Sequence, residues 1–249
     1  MAVIVKNAGE LEKMRAAGRI VYKALEMLEK MITPGAATGE LDRAADGFIR
    51  ENGGTPSFLG YRDFPKSICV SVNEEVIHGI PGIKRLKDGD IVSIDIGVTL
   101  DGWQSDAART FSCGRISRSA ERLIEVTRQC FFEGIRQARN GNHLFQVSRA
   151  IQEHAERNGC SVVRDFVGHG IGRSMHEDPS IPNFKPPGRG VKLQKGMTLA
   201  IEPMVNAGTH EVLVLRDNWT VVTKDSRLSA HYENTVAVTD GEADILTLF

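Results

Sequence analysis

Two aspartates interrupt a stretch of sequence that otherwise has the pattern of a β-hairpin. The apolar run Ile91–Val98 contains Asp95, and Asp106 lies in the run that follows it. Between them stand Asp101 and Gly102, a pair that strongly favours a tight hairpin turn. A turn centred there predicts that Asp95 and Asp106 lie opposite or nearly opposite each other on one face. Facing carboxylates repel unless a cation or a shared proton compensates, so the pattern indicates either a metal site or two aspartates that face solvent.

Two glutamates and a histidine stand in comparable settings further along the chain. Glu202 interrupts the predicted strand Met197–Val205, and the proline after it indicates an edge or a bulge. Glu233 precedes a strand predicted over Asn234–Thr239. His169 lies between two glycines, which let backbone or a ligand approach closely, although a lone histidine of this kind is more often a core or turn residue.

Taken together, four carboxylates and one imidazole occupy strand positions where an unpaired charge is costly, and a metal centre is one way to offset that cost. Their oxygens are sufficient to bridge two divalent ions, as in two-metal hydrolases. Ligation by many oxygens and one nitrogen suits Mn²⁺, Fe²⁺ or Co²⁺ at least as well as Zn²⁺. The spacings match no zinc finger, no H-E-x-x-H motif and no P-loop.

The remaining candidate side chains carry weaker signals. His78 and His176 lie in turns flanked by glycine and proline, a setting in which loops often carry function. Four histidines lack such a setting and are predicted to be structural or exposed: His143, His154, His210 and His231. Core packing is the default prediction for a group of large apolar and sulfur-containing side chains: Phe58, Tyr61, Phe64, Cys69, Met175 and Trp219.

The composition is that of a globular protein. The 249 residues include 41% hydrophobic and 25% charged residues, and no run approaches the roughly 18 apolar residues of a membrane span. A net charge of -1 provides no general attraction to nucleic acid or to anionic membranes. The four cysteines are widely spaced and the N-terminus lacks a signal-peptide pattern. We therefore expect a soluble cytoplasmic protein with reduced thiols.

Hydrophobic periodicity predicts the elements that must position these residues. Helices and strands are expected in the same order in both halves of the chain. In the first half Asn7 and Thr38 are the predicted caps of two helices. The predicted elements are helices over Asn7–Met31, Thr38–Glu51, Ser119–Ala138 and Leu144–Arg157, and strands over Ser67–Val72, Ile91–Val98 and Ser161–Phe166.

A shift of 106 residues superposes the helix-ending residues of the two halves, Gly35, Asn52 and Gly53 on Gly141, Asn158 and Gly159. This coincidence predicts an internal duplication. The expected fold is α+β, with a curved antiparallel sheet, helices behind it, and a site where the halves meet. We expect a single catalytic domain over residues 1–249, with halves at about 1–112 and 118–249.

Five motifs in a fixed order resemble those of the type I methionine aminopeptidases, which have the pita-bread fold. They are NEEVIHGIPG at Asn73–Gly82, SIDIGVTLDGWQSDAARTF at Ser93–Phe111, VGHGIGRSMHEDPSIPNF at Val167–Phe184, AIEPM at Ala200–Met204, and HYENTVAVT around Glu233. The resemblance implies a dinuclear hydrolase that removes the N-terminal methionine of nascent polypeptides and prefers a small second residue. Association with the ribosome would fit this function.

The resemblance also implies roles for individual residues. The metal ligands fall on Asp95, Asp106, His169, Glu202 and Glu233, and Glu202 is the expected proton shuttle. His78 and His176 are expected to contact the substrate as catalytic groups. The implied methionine pocket consists of Tyr61, Phe64, Cys69, Met175 and Trp219, with Phe58 as a neighbour.

The chain departs from the common pattern of that family at Arg62, Asp63 and Ile77, which leaves the preferences at the pocket rim open. The 31 residues from Glu202 to Glu233 leave no room for the helical insertion of type II enzymes. Two alternatives stand beside this interpretation. One is a proline-specific aminopeptidase of the same fold, and the other is a non-catalytic relative that binds peptides or nucleic acid.

Overall fold

The computed structural model describes residues 3–249 of the chain. This part of the chain contains four α-helices and one short 3-10 helix: α1 (Ala8–Met31), α2 (Thr38–Glu51), the 3-10 helix Tyr61–Asp63, α3 (Arg118–Ile135) and α4 (Leu144–Arg157). All four predicted helices are confirmed. The largest difference is in α3, which ends at Ile135 and not at Ala138.

Capping interactions explain where the first two helices begin. The Asn7 side chain accepts a hydrogen bond from the Glu10 amide at 3.0 Å, and the Glu10 carboxylate accepts one from the Asn7 amide at 2.9 Å. Asn7 is therefore confirmed as the cap of α1. The prediction that Thr38 caps α2 is wrong, because Ala37 occupies the cap position. The buried Thr38 hydroxyl instead accepts a hydrogen bond from the Gly82 amide at 2.9 Å.

Fifteen short strands lie within residues 3–249, and all of their pairings are antiparallel. They are β1 (Thr55–Pro56), β2 (Ile68–Val72), β3 (Glu75–Ile77), β4 (Ile91–Leu100), β5 (Trp103–Ser112), β6 (Ser161–Val162), β7 (Gly168–Gly170), β8 (Glu177–Ile181), β9 (Thr198–Ile201), β10 (Met204–Asn206), β11 (Val212–Val214), β12 (Val221–Thr223), β13 (Ser229–His231), β14 (Asn234–Ala237) and β15 (Asp244–Ile245).

The strands form four hydrogen-bonded sheets and not one continuous sheet. In the first sheet, β4 pairs with β5 along one edge and with β2 and β1 along the other. The other sheets have the orders β13-β10-β6, β11-β12-β3 and β15-β14-β9-β7-β8. Backbone hydrogen bonds between Ala108 and Glu233, at 2.9 and 3.3 Å, join the first sheet to the last. The predicted curved wall of antiparallel strands is thus assembled from connected segments.

Strand ends differ more from the predictions than helix ends do. The predicted strand Met197–Val205 is two strands, β9 and β10, which belong to different sheets and are separated by Glu202 and Pro203. Proline has no amide hydrogen to donate to a ladder, so the strand breaks there. The predicted strand Ser161–Phe166 is shortened to β6, and Asn234–Thr239 is shortened to β14.

The duplication predicted from sequence is visible in the helices. Helices α2 and α4 both have 14 residues, and α4 begins and ends 106 positions after α2. Gly35 and Gly141, which precede them, have φ angles of 95° and 90°, and Gly53 and Gly159, which follow them, have 79° and 76°. A left-handed backbone of this kind favours glycine. The order of two helices followed by strands therefore occurs twice.

Each helix pair covers its own hydrophobic core. Helices α1 and α2 pack on β2 and β4, with Leu28 and Ile94 fully buried between them. Helices α3 and α4 pack against the strands of the second half around Phe131 and Leu199. A smaller cluster that includes Met175 lies apart from both cores. None of the helices described is long and apolar enough to cross a membrane.

Candidate metal centre and the adjoining pocket

The hairpin of β4 and β5 brings the two aspartates to one face. Asp95 pairs with Ala108 and Asp106 pairs with Gly97, so the aspartates are diagonal neighbours and not directly opposite. This register confirms that they are nearly opposite and share a face. The Thr235 hydroxyl lies 2.9 Å from Asp106 Oδ1 and 3.0 Å from the Asp106 amide. These contacts fix Asp106 against β14.

Glu202 and His169 come from adjacent parts of one sheet. Glu202 lies just after β9, at the break before β10, and its backbone carbonyl accepts a hydrogen bond from the Asn183 side chain at 3.0 Å. His169 lies in β7 and pairs with Ala200 of β9. A side chain at Gly168 would collide with the Ala200 carbonyl. The glycine before His169 therefore permits the close approach of two strands that the sequence pattern predicted.

Glu233 lies immediately before β14, where the two halves of the chain meet. Its backbone exchanges hydrogen bonds with Ala108 of β5. The partly buried guanidinium of Arg109 donates hydrogen bonds to the Glu233 carbonyl, to the Ala108 carbonyl at 2.8 Å and to the Asn234 side chain at 2.6 Å. Arg109 also lies over the Tyr232 ring, 4.1 Å from its centroid. These contacts hold the backbone of Glu233 against β5.

The carboxylates of Asp106, Glu202 and Glu233 lie close to the His169 ring. His169 Nε2 lies 3.6 Å from Asp106 Oδ2 and 3.6 Å from Glu202 Oε1. The ligand atoms of Asp106, His169 and Glu233 all lie within 4.8 Å of one another. His169 Nδ1 lies 2.9 Å from the Gly170 carbonyl, to which it can only donate a hydrogen. In the neutral ring the lone pair of Nε2 then faces the carboxylates, as in a metal-binding histidine.

Burial has the largest effect on the pKa values of this cluster. Burial raises the pKa of Asp106 to about 7, and burial followed by the charge of Asp106 raises the pKa of Asp95 well above its ordinary value. The pKa values of Glu202 and Glu233 rise for the same reason, with neighbouring carboxylates adding to the effect. Burial lowers the pKa of His169 to about 4. The imidazole is therefore neutral at pH 7 and able to bind a metal ion.

The cluster has the chemistry of a site for divalent cations. Asp95 Oδ1 is buried and has no hydrogen-bond partner within residues 3–249. In the same part of the chain, no lysine or arginine forms an ion pair with Asp95, Asp106, Glu202 or Glu233. Two buried carboxylates, Asp106 and Glu233, beside two partly buried ones, Asp95 and Glu202, are costly without a cationic partner, and oxygen-rich donors of this kind suit hard or borderline divalent metals.

A cavity of about 290 Å³ adjoins the cluster. It is lined by all thirteen residues that the sequence predicted for the site: Phe58, Tyr61, Phe64, Cys69, His78, Asp95, Asp106, His169, Met175, His176, Glu202, Trp219 and Glu233. The structure thus brings together residues from both halves of the chain in one place. The interpretation of the aromatic and sulfur-containing residues as ordinary core is incomplete, because their side chains also form the cavity wall.

Aromatic contacts order the wall of the cavity. The Tyr61 hydroxyl lies 2.8 Å from His176 Nδ1, and the two rings are stacked with centroids 5.2 Å apart. Phe64 packs on the edge of Trp219 at 5.0 Å, and Trp219 lies 6.0 Å from the ring of His78. Burial lowers the pKa of His78 to about 4 and that of His176 to about 3. Both imidazoles are therefore neutral at pH 7 and have one N–H to donate.

Sequence reasoning missed several residues of the site. The cavity is also lined by Arg62, Ile77, Asp165, Phe166 and Val167, of which only the first two were noted, as departures from a family pattern. His231, which was predicted to be structural or exposed, is almost completely buried, and its Nε2 lies 3.8 Å from Glu202 Oε2. Strand alternation does not identify it, because His231 ends β13 and Glu233 lies outside both β13 and β14, so only the tertiary contact reveals its place in the site.

Comparisons with known proteins agree with this geometry. The model of metallopeptidase family M24 matches residues 12–240. A methionine aminopeptidase of Clostridium perfringens is 58% identical over 246 residues, which cover 99% of each chain. The crystal structure of methionine aminopeptidase from Rickettsia prowazekii has a TM-score of 0.97 and 42% identity, and covers 99% of this chain and 100% of that chain.

A more distant neighbour shares the fold alone. The prolidase from Pyrococcus furiosus has a TM-score of 0.79 at 22% identity, and the match covers 99% of this chain and 66% of that one. Its likeness extends over both helix pairs and their strands, so the architecture is common to enzymes of different specificity. The predicted α+β class with duplicated halves is confirmed. The chain belongs to metallopeptidase family M24, among the methionine aminopeptidases, and has their pita-bread fold.

Proposed function

We infer that this chain is a methionyl aminopeptidase, a hydrolase that removes the N-terminal methionine of a polypeptide. One observation carries the inference. Four carboxylates and a neutral imidazole line the same cavity as an apolar, sulfur-containing wall, in a chain that is 58% identical to a methionine aminopeptidase. The carboxylates and imidazole supply the metal site of a metallopeptidase, and the apolar wall supplies a place for the methionine side chain.

The proposed cofactor is a pair of divalent metal ions. The unpartnered Asp95 Oδ1 and the inward-facing His169 Nε2 support this proposal. Oxygen-rich ligation favours Mn²⁺, Fe²⁺ or Co²⁺, and Zn²⁺ is also accommodated. When bound, such ions polarise the scissile carbonyl and lower the pKa of a water molecule. The residues proposed to hold them are Asp95, Asp106, His169, Glu202 and Glu233.

Glu202 is proposed as the proton shuttle. It lies at the break between β9 and β10, outside both ladders, and its Oε1 and Oε2 face His169 and His231. A carboxylate at this position, beside the other proposed ligands, can accept a proton and return it. In this role Glu202 takes a proton from the attacking water and returns it to the leaving amine.

His176 and His78 are proposed to donate hydrogen bonds to the substrate. If the Tyr61 hydroxyl donates to His176 Nδ1 across their 2.8 Å contact, the His176 proton is on Nε2. That N–H can then stabilise the developing oxyanion on the scissile carbonyl, an interaction typically worth about 10²–10³ in rate. His78, on the Trp219 side of the cavity, is placed to contact the peptide backbone.

The methionine side chain is proposed to bind among Tyr61, Phe64, Cys69, Met175 and Trp219, with Phe58 beside them. An unbranched, polarisable thioether fits between aromatic edges and another sulfur-containing side chain. Burial raises the pKa of Cys69 well above its ordinary value, so its thiol stays protonated and acts as an apolar wall group.

The cellular setting is part of the same proposal. We place the enzyme in the cytoplasm, as one catalytic domain over residues 1–249 with halves at about 1–112 and 118–249. Its proposed substrates are nascent polypeptides with a small second residue, so it would act near the ribosome. The two core clusters support the division into halves, and the net charge of -1 argues against nucleic acid as a primary ligand.

Methionine release from a Met-Ala-Ser peptide tests the proposal. The protein is stripped of metal and assayed before and after addition of Mn²⁺ or Co²⁺, with Glu202→Gln in parallel. We expect metal-dependent release that the variant loses by at least about 10²-fold, because the amide cannot accept the proton. Glu211→Gln, an exposed glutamate paired with Lys224, is the matched control and should retain full activity.

Other results in these assays would support a different function or a different role for Glu202. Cleavage of an Ala-Pro-Ser peptide in preference to Met-Ala-Ser would indicate a proline-specific aminopeptidase. Absence of metal binding in calorimetry would indicate a non-catalytic binding relative. Full activity of Glu202→Gln with intact metal binding would exclude Glu202 as the proton shuttle while leaving the reaction itself in place.

A further inference from the structure

His231 is held rigidly beside the proposed proton shuttle. It is the last residue of β13, where it pairs with Met204 of β10. Its amide donates a hydrogen bond to Thr110 Oγ1 at 2.8 Å, and the Thr110 hydroxyl lies 2.9 Å from its carbonyl. The side chain is 1% exposed. Backbone and ring are therefore fixed with respect to the neighbouring strands.

The ring nitrogen that faces Glu202 has no other partner. His231 Nε2 is buried and forms no hydrogen bond within residues 3–249. It lies 3.8 Å from Glu202 Oε2, a distance slightly longer than a hydrogen bond. Buried polar atoms in folded proteins are nearly always paired, so an unpaired one aimed at a carboxylate indicates a function.

Glu202 lies between two imidazoles. Oε1 faces His169 Nε2 at 3.6 Å, on the side of the aspartates, and Oε2 faces His231 Nε2 at 3.8 Å. Glu202 belongs to neither β9 nor β10. A side-chain movement of less than about 1 Å would bring Oε2 within hydrogen-bond distance of His231 Nε2. A donor fixed at one carboxylate oxygen determines which oxygen is turned toward the reacting groups.

We propose that His231 is a positioning residue that donates a hydrogen bond from Nε2 to Glu202 Oε2 and thereby directs Oε1 toward the metal site and the substrate. This inference rests on the proposed function, in which Glu202 is both a metal ligand and the proton shuttle. It extends that function to a residue whose setting in the sequence gave no indication of a role.

Paired substitutions of His231 test the proposal. His231→Leu removes the donor and keeps the bulk, whereas His231→Gln retains an N–H in nearly the same place. For the Met-Ala-Ser peptide we expect His231→Leu to lower kcat by about 10–100-fold with little change in KM. We expect calorimetry to show weaker Mn²⁺ binding by a similar factor. His231→Gln should restore both quantities to within a few-fold of the wild type.

Ser229→Ala is the matched control, since Ser229 lies in the same strand, is buried, and bonds Asn206 at 2.8 Å. It should leave kcat and Mn²⁺ affinity unchanged. The proposal is overturned if a folded His231→Leu protein matches the wild type, if His231→Gln loses as much as His231→Leu, or if Ser229→Ala has the same effect. Failure of the wild type to release methionine would refute the proposed function, and the Mn²⁺ affinities would still test the contact with Glu202.

Discussion

At the scale of single residues, the buried carboxylates govern how the metal-free protein responds to pH. Burial raises the pKa of Asp106 to about 7 and raises those of its three carboxylate neighbours in the same direction. A carboxyl group that binds its proton more tightly in the folded chain than in the unfolded chain, where its pKa is about 4, stabilises the fold at low pH. That stabilisation is lost as the pH rises through the folded pKa.

The buried histidines His169 and His231 have the opposite effect below about pH 6.5, because burial lowers their pKa values to about 4 and about 3 in the fold. Stability from the histidines rises between about pH 4 and pH 6.5 and is complete above that range. Above about pH 6.5 the pH dependence of folding stability therefore comes mainly from the carboxylates.

We predict that the melting temperature of the metal-free protein falls as the pH rises from about 6.5 to about 8, because ionised carboxylates accumulate without a counter-charge. Thermal unfolding in a chelator across this range is the measurement. Saturating Mn²⁺ should abolish the fall, since the cation compensates the charges. The Asp106→Asn variant should have a smaller slope than the wild type, and an unchanged slope would contradict the assignment.

The residues of the site were visible in the sequence to different degrees. Asp95 and Glu202 interrupt apolar strands, and a charge in such a place is unusual enough to identify a site. His231 and Phe166 occupy unremarkable local settings, and only their tertiary neighbours reveal them. Trp219 reaches Phe64 and His78 from a distant part of the chain, so its place in the pocket followed from the family resemblance and not from local pattern.

At the scale of elements, strand β4 has no side chain at Gly97, where two residues of the pocket wall pack against it. A methyl group at this position would lie 2.7 Å from Phe58 Cε1 and 2.8 Å from Met175 Cε. Both side chains line the cavity. Glycine here therefore lets Phe58 and Met175 pack closely on β4, because a larger residue must displace these two side chains of the cavity wall.

We predict that Gly97→Ala raises KM for Met-Ala-Ser about tenfold, since overpacking typically costs about 1–3 kcal/mol. Steady-state kinetics measure the effect. Gly47→Ala is the matched control, because Gly47 lies in α2 with open space around it. That substitution should leave KM unchanged and stabilise the helix by about 0.5–1 kcal/mol. An unaltered KM in Gly97→Ala would show that Phe58 and Met175 do not bound the methionine site.

A buried ion pair connects the segment before α1 to the turn that carries His176. Lys6 Nζ lies 2.5 Å from Glu177 Oε2, and the two side chains are 2% and 7% exposed. Glu177 Oε1 accepts hydrogen bonds from the amides of Arg173 at 2.9 Å and Ser174 at 3.2 Å. One carboxylate thus organises the turn before His176 and binds the N-terminal segment to it.

We predict that Lys6→Met lowers the free energy of unfolding by about 3–5 kcal/mol, because it leaves the Glu177 carboxylate buried and uncompensated. Urea unfolding measures the loss. Lys195→Met removes an exposed ion pair with Asp240 and should cost no more than about 1 kcal/mol. Equal losses in the two variants would refute a special role for the buried pair.

Helices were predicted more accurately than strands for a physical reason. The C-terminal ends of α2 and α4 follow from a local signal, because Gly53 and Gly159 adopt the left-handed conformation just after Asn52 and Asn158. The ends of a strand depend on where its partner begins. The predicted strand Met197–Val205 divides because its two segments pair with different sheets, a fact that no local pattern contains.

At the scale of the whole molecule, Arg109 secures the junction of the two halves. Its guanidinium spans β5 and the start of β14, and its three hydrogen-bond acceptors are the Ala108 and Glu233 carbonyls and the Asn234 side chain. Burial lowers the pKa of Arg109. The proposed ligands Asp106 and Glu233 lie on either side of this junction, so the metal site depends on the register between the halves.

We predict that Arg109→Met destabilises the protein by at least about 2 kcal/mol, because it removes three hydrogen bonds from a charged donor at the junction of the halves. It should also weaken Mn²⁺ binding, since Glu233 loses its support. Chemical unfolding and calorimetry measure the two effects. Arg50→Met removes an exposed ion pair with Asp46 on α2. This control should change both the free energy of unfolding and the Mn²⁺ affinity very little. Wild-type Mn²⁺ affinity in Arg109→Met would show that the junction does not control the site.

The placement of the two tryptophans gives the molecule an optical probe of its own. The sequence has only Trp103 and Trp219. Trp219 lines the cavity, whereas Trp103 is 3% exposed and lies beneath the guanidinium of Arg173. In a Trp103→Phe protein, all indole fluorescence would come from the cavity wall. Entry of a side chain would replace water next to that indole, and its emission would report occupancy of the pocket without a label.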